Sequence, residues 1–433
     1  MKASAGSTLL IVENRYPYDP RVRNEANALV AAGYRVTVIS LRARHEASHA
    51  FFNGVEAYRI PRITLFDKTK RSGQTFLGKV VTAGKTLIGY LVEYSYFTFC
   101  SLVISLYVCA RQRVDVIHLN NPPDTLCVIA ALYKLLGKKI VFDHHDLSPE
   151  LYLSRYGIRG KGKGLIYRTL LLLEKINLKL ADVVIATNES YRGNDIRRGG
   201  IDGRKVFIVR NGPDLNRVRA VAPDERLKAM NKKILVYIGI MGPQDGVDYL
   251  IRALHHLVYG LGRTDFYCVL IGKGDSLEAL KALAHDLKID DHVWFTGFIP
   301  EADLVRYLST ADICVDPDPS SPLNDVSTWI KIMEYMALEK PIVTFDLKET
   351  RYSAQDAALY VPPNDEAAFA RALATLMDDE GLRRELGRRG RKRIENELNW
   401  DIVKQNLLDA YRWCLLSDRE TGAAEKAQGL PER

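Results

Sequence analysis

Several short runs gather side chains of the types that do chemistry. The richest is Asp143-His144-His145-Asp146-Leu147-Ser148-Pro149-Glu150, which follows a β-branched run. A histidine there exchanges a proton or donates to a sugar hydroxyl near neutral pH, with Asp146 or Glu150 to orient it. A second run, Asn14 to Arg23, places Arg15, Arg21 and Arg23 behind the first apolar run. Three guanidinium groups offer charge to an anionic ligand, and no GxGxxG stands there to mark a dinucleotide site. Two glycine turns, Gly239 to Gly246 and Gly272-Lys273-Gly274, each separate a strand-like run from a helix-like one. Such turns cradle phosphate through backbone N–H groups and the helix dipole. Asp245 works against this and reads instead as an N-cap. Finally, Ser327-Thr328-Trp329-Ile330-Lys331-Ile332-Met333-Glu334 reads as a helix start. Lys331 and Glu334 then share a face, so the cap region is placed for phosphate and the carboxylate one turn inward for paired ribose hydroxyls.

These groups need strand ends to hold them. Short apolar runs alternate with longer helical patterns: Thr8–Val12, Val36–Ser40, Val114–Leu119, Ile140–Phe142, Val183–Thr187 and Val206–Val209, then Ile234–Ile238, Tyr267–Ile271, Val293–Phe295, Ile313–Val315 and Ile342–Phe345. Runs of this kind suit parallel strands covered on both faces. The expected class is α/β: two Rossmann-like, doubly wound parallel-sheet domains facing a cleft, with ligands at the carboxyl ends of the strands. The expected boundaries are 1–212 for the first domain, 213–231 for a polar linker and 232–400 for the second. An amphipathic helix over 401–416 follows, and a polar, disordered tail over 417–433.

The composition agrees with an ordinary globular chain. It has 433 residues, 47% hydrophobic and 26% charged, which excludes wholesale disorder and small disulfide-stapled scaffolds. Six scattered cysteines show neither CxxC nor zinc spacing, so reduced thiols in a cytoplasmic protein are expected. The first twelve residues lack a signal-peptide pattern. A net charge of +8 favours anionic partners. Basic residues cluster at Arg159, Lys161 and Lys163 and again over Arg383–Arg393. The second cluster reads as a solvated helix face, and no helix-turn-helix or aromatic platform argues for nucleic acid. Over 86–110 the only charge is Glu93. A crossover helix on the sheet is the first reading of that stretch, a helix lying in the bilayer interface the second, and a true membrane span the third.

The sequence resembles the retaining glycosyltransferases of family 4 (GT4, glycosyl transferases group 1 type), which have the GT-B fold. Matching pieces are Asp19-Pro20-Arg21-Val22 with Glu25, His145-Asp146-Leu147-Ser148-Pro149-Glu150, Val209-Arg210-Asn211-Gly212, Gly272-Lys273-Gly274, Phe295-Thr296-Gly297-Phe298, Ala311-Asp312-Ile313, and Lys331 to Ala337. The resemblance implies a nucleotide-sugar donor in the second domain, a UDP-sugar being expected, and an acceptor in the first. It implies retention without a metal or other cofactor. The catalytic group would be His145, Glu334 and Lys331. Donor contacts would come from Gly242, Gly272, Lys273, Phe298, Ile299, Ser327, Thr328, Lys331 and Glu334, and acceptor contacts from Arg15, Arg21, Arg23 and Asp146. The expected acceptor is lipid-linked or glycan, in cell-envelope or exopolysaccharide assembly. The chain would work in the cytoplasm with peripheral contact to an anionic membrane.

Two departures stand out. The family's usual acid eight residues before the ribose glutamate is Val326 here, and its usual Arg and Lys in the first glycine turn are Ile240 and Asp245. Ser327, Thr328, Lys331, Lys273 and Arg351 are the candidates to replace those cations. The losses keep two other readings open, a non-catalytic scaffold and a sugar-nucleotide epimerase.

Overall fold

The computed structural model describes residues 5–63, 76–156 and 164–427, with backbone only for 76–88, 156 and 417–427. The cluster Arg159, Lys161 and Lys163 lies outside the described residues. The chain divides into two compact units, Met1–Arg210 with Lys404–Arg433, and Asn211–Val403.

The first unit runs β1 (Gly6–Arg15), α1 (Pro20–Ala31), β2 (Tyr34–Arg42), β3 (His49–Phe52), β4 (Val55–Pro61), α2 (Phe76–Arg111) and β5 (Val116–Asn120). It continues through α3 (Cys127–Leu135), β6 (Lys139–His144), α4 (Ser148–Tyr156), α5 (Leu165–Leu180), β7 (Val183–Ala186), α6 (Glu189–Gly199) and β8 (Val206–Ile208). The sheet order is β3-β4-β2-β1-β5-β6-β7-β8. All pairs are parallel except β3 with β4, an antiparallel hairpin turned at Asn53-Gly54, both at positive φ. Neither strand of this hairpin, β3 or β4, was among the expected runs, and the Asn-Gly turn is what joins them. β5 and β7 are buried at every position, the pattern of strands covered on both faces.

The second unit holds α7 (Glu225–Lys228), β9 (Lys233–Ile238), α8 (Val247–His255), β10 (Phe266–Ile271), α9 (Leu277–Asp286), β11 (Val293–Gly297) and α10 (Glu301–Thr310). Then come β12 (Ile313–Asp316), α11 (Ile330–Ala337), β13 (Ile342–Phe345), α12 (Lys348–Ala354), β14 (Ala358–Val361), α13 (Glu366–Asp378) and α14 (Glu380–Arg393). Its six strands are ordered β11-β10-β9-β12-β13-β14, all parallel. The stretch expected as a linker packs onto this unit. Asp224 caps α7, its N–H donates to Thr310 Oγ1 at 2.7 Å, and Leu227 is buried in the core. Along α14 the arginines are matched by acids four or three residues away, or by carbonyls: Arg384 by Glu380, Arg389 by Glu385, and Arg383 by Leu376 and Met377.

The last helix, α15 (Trp400–Ala427), runs past Ser417, where a disordered tail was expected. Ala423, Ala424, Glu425, Lys426 and Ala427 are strong helix formers, and a polar composition does not stop a helix already nucleated by a packed face. That face belongs to the first unit: the Tyr411 hydroxyl lies 3.0 Å from Thr8 Oγ1 and 2.9 Å from His118 Nδ1.

Candidate active site

In the first unit the loops after β1, β5 and β6 converge at the carboxyl edge of the sheet. Their centre is Asp143, fully buried at the end of β6. Arg21, in the first turn of α1, meets it with two parallel bonds, Nε and Nη2 each at 2.6 Å. A third donor, Nη1, reaches the Val209 carbonyl at 3.0 Å. Burial opposes charge on Asp143, but Arg21 and His145 outweigh it and hold the carboxyl well below the usual range. His145 Nδ1 lies 3.2 Å from Asp143 Oδ2. An ionised Asp143 accepts, so Nδ1 carries the proton and Nε2 is left for a ligand. Burial disfavours the His145 cation, yet the Asp143 hydrogen bond and the charges of Asp143 and Asp146 raise its pKa. Asn121 sets the loop: its Oδ1 accepts from the N–H groups of His145 (2.9 Å) and Asp146 (3.2 Å), and its Nδ2 donates to the Asp146 carbonyl at 2.6 Å. The Asp146 carboxyl is half-buried, and burial raises its pKa.

This arrangement changes the role expected for Arg21. Its guanidinium is buried and spent on Asp143, so it positions His145 rather than contacting an acceptor. Arg23 donates to the Pro17 carbonyl at 3.1 Å, and Arg15 pairs with Glu46 and stacks on Tyr18. Glu25, His118 and Asp143 come close enough to hold a metal ion. The donor set does not fit one, because Arg21 already neutralises Asp143 and lies 3.3 Å from Glu25. Burial and the Asp143 charge instead push the Glu25 pKa well up, and burial lowers His118 to about 4.

In the second unit the glycine turns are packed into each other. Gly272 has φ +142°, and a Cβ there would lie 1.8 Å from the Gly239 carbonyl oxygen, so only glycine fits. The N–H of Gly272 donates to the Gly297 carbonyl, and that of Met241 to the Lys273 carbonyl. Asp245 is not an N-cap: its carboxylate accepts from the Gly242 N–H at 2.9 Å, and Gly246 starts α8 without a side-chain cap. The Gly242 and Gly272 N–H groups expected to cradle phosphate are thus already used within the protein.

Lys331 is likewise not the expected phosphate cation. Its ammonium is buried, 3.0 Å from Asp316 and 2.6 Å from Asp318, both fully buried, with Tyr237 and Trp329 rings beside it. Burial opposes its charge, and the two carboxylates more than restore it. Burial and the neighbouring Asp316 keep Asp318 well above the ordinary carboxylate range. Ser327 donates to the Leu323 carbonyl at 2.7 Å, and Thr328 lies 3.5 Å from Glu349. Neither caps α11, whose N-cap is Trp329 with no side-chain bond. Arg351 is held by Asp346 through two bonds of 2.6 and 2.7 Å.

What remains available is specific. Glu334 is half-buried on α11, its carboxyl with no hydrogen-bond or ion-pair partner among the described residues. Burial and the nearby Glu301 raise its pKa to about 7, with Arg217 pulling the other way. Lys273 is exposed with no ion partner among the described residues. Phe298 is 79% exposed, and Ile299 packs on the core beneath it. Sequence reasoning missed the partners that decide these roles: Asn121 for the His145 loop, and Asp316 and Asp318 for Lys331.

Comparison with known proteins defines the class. Residues 21–217 match the family described as Glycosyltransferase Family 4, and residues 219–393 match Glycosyl transferases group 1. The chain belongs to glycosyltransferase family 4, has the GT-B fold and is a glycosyltransferase. Among its relatives is the alpha-maltose-1-phosphate synthase of Mycolicibacterium smegmatis, 26% identical over 305 residues, or 64% of this chain and 74% of that one. Another is the lipopolysaccharide core biosynthesis glycosyltransferase LpsE of Rhizobium meliloti, 26% identical over 49% of this chain and 58% of that one. Sucrose-phosphate synthase from Thermosynechococcus elongatus has a similar structure, with a TM-score of 0.69 and 19% identity over 95% of this chain and 100% of that one. Alr3699/HepE from Anabaena, solved with UDP, gives a TM-score of 0.66 at 15% identity over 94% of this chain and 99% of that one.

Proposed function

We propose that this glycosyltransferase moves a sugar from a UDP-sugar to a hydroxyl of a lipid-linked or glycan acceptor in cell-envelope or exopolysaccharide assembly, with retention and without a metal. The observation that carries the donor half is Glu334. A half-buried carboxyl with no protein partner among the described residues is an acceptor in waiting, and the paired hydroxyls of a ribose supply two donors at its spacing. Lys273 answers the diphosphate, since Lys331 and Arg351 are spent on carboxylates. The backbone at Phe298 and Ile299 takes the base. Similar structures were solved with UDP and with UDP-glucose, which supports the choice of nucleotide.

In the reaction the bond from the sugar C1 to the β-phosphate oxygen breaks, and the acceptor oxygen forms its bond on the same face. The acceptor proton leaves to the departing phosphate oxygen. His145, fixed by Asp143 through Nδ1, turns Nε2 to accept from a hydroxyl of the transferred sugar, and Asp146 accepts from the acceptor. The test is product analysis with UDP-glucose and membrane-lipid extract. An α-linked product supports the reading. Release of free epimerised nucleotide sugar without acceptor, or a β-linked product, contradicts it.

A further inference from the structure

The helices on one side of the first sheet carry an outward surface that catalysis does not use. α2 lies on the protein along one stripe, with Glu93, Phe97, Ser101, Ser105 and Val108 all buried. Its opposite stripe is exposed and apolar: Leu91, Val92, Phe99, Val103, Leu106 and Tyr107. The segment Gly89–Arg111 is long and apolar enough to cross a membrane by length and composition, with 33% of its window buried. The buried stripe is fixed by polar contacts, Thr98 to Thr125 at 2.7 Å and Tyr133 to Ser105 at 2.9 Å. It is therefore committed to the protein, and the helix is placed to lie flat rather than to span.

The same contacts bring α3 alongside α2, and α3 packs on α5. α3 exposes Val128 and Leu135, and α5 exposes Leu165 and Leu172. Charge follows the same division. Among the described side chains of the three helices, the two acids, Glu93 and Glu174, are buried. The exposed charges are all positive: Arg111, Lys134 (paired with Asp182), Arg168, Lys175 and Lys179. Large apolar groups among exposed cations, with no exposed acid, complement an anionic bilayer.

We propose that the outward face of α2, α3 and α5 docks this chain, in the plane of the interface, on an anionic lipid bilayer. This deepens the acceptor half of the proposed function, since a lipid-linked acceptor is delivered at that surface. The test is flotation of the full chain with vesicles of phosphatidylcholine, with and without about 30% phosphatidylglycerol. Wild type floats with the anionic vesicles and much less with the neutral ones. Phe99→Glu with Val103→Glu, at exposed positions, lowers the bound fraction at least ~tenfold, and Lys175→Glu with Lys179→Glu removes the preference for anionic lipid. Melting followed by circular dichroism establishes that these variants fold. Hydrogen exchange of wild type on vesicles adds a readout without substitution, with protection expected on α2, α3 and α5. Absence of wild-type flotation, protection confined to other elements, or a concentration-dependent dimer broken by the same substitutions overturns the proposal. UDP binding without flotation keeps the proposed donor and loses this surface; flotation without any nucleotide binding does the reverse.

Discussion

Glu334→Gln, read across pH, tests the donor site in the most detail. Partial burial and the nearby Glu301 raise the pKa of the half-buried carboxyl to about 7. Ribose hydroxyls donate to the ionised form, so binding favours loss of the proton and affinity rises as pH climbs through 7. With that pKa the ionised fraction is ~0.1 at pH 6 and ~0.9 at pH 8, a roughly tenfold change in affinity, or ~1.4 kcal/mol. Uridine is the right probe, because it carries no phosphate that titrates in this window. Calorimetry of wild type with uridine at pH 6, 7 and 8 then shows the tenfold rise. Glu334→Gln shows a flat profile and, at pH 8, an affinity lower by ~1.5–3 kcal/mol, the worth of hydrogen bonds to a charged group. The unliganded protein moves the opposite way. A folded-state pKa above the unfolded value means the native carboxyl holds its proton longer, so it favours folding less as pH rises from the unfolded pKa through about 7. The Gln variant therefore melts higher than wild type at pH 8, and the two converge only below the unfolded pKa, at about pH 4. A wild-type uridine affinity independent of pH, or equal binding by the variant, refutes the assignment of Glu334 to ribose.

Other perturbations separate structural from functional charge. Lys331→Ala leaves Asp316 and Asp318 buried without their cation, and urea unfolding should show a loss of ~3–5 kcal/mol; lost UDP affinity at full stability would restore Lys331 to the phosphate site. Lys273→Ala should weaken UDP ~tenfold more than uridine, within the range for a hydrogen bond to a charged group, and equal losses would remove Lys273 from the diphosphate. Asp143→Asn removes the charge that raises the His145 pKa, so NMR titration should show it falling, while an unmoved pKa would break the link between them. Gly272→Ala puts a Cβ 1.8 Å from the Gly239 carbonyl oxygen, so a soluble variant with wild-type melting would contradict the packing of the two glycine turns.

The central strands were legible because fully buried parallel strands read as unbroken apolar runs, as Val183–Thr187 and Ile342–Phe345 do, whereas β3, β4 and β14, partly exposed, were missed. The last helix was legible to Leu416 through its apolar face, and not beyond, where the sequence turns polar. His145 and Glu334 were picked out by type at a strand end and on a helix start, and the structure places one just after β6 and the other on α11. The roles of Arg21 and Lys331 were not, because their partners come from elsewhere in the chain. Arg21 meets Asp143 across 122 positions, and Lys331 meets carboxylates from the end of β12 and the loop after it. Asp245 shows the same limit. An acid in a glycine turn predicts a cap, yet only the turn's own closure puts its carboxylate on the Gly242 N–H.

The central claim is a nucleoside-diphosphate site built on Glu334 and Lys273. Calorimetry with UDP, GDP, ADP and CMP, each with and without chelator, tests it most directly. The account predicts binding of UDP, unchanged by chelator and weakened at least ~tenfold by Glu334→Gln at pH 8. Failure of the folded protein to bind any nucleotide, or binding only with a divalent ion, would contradict it.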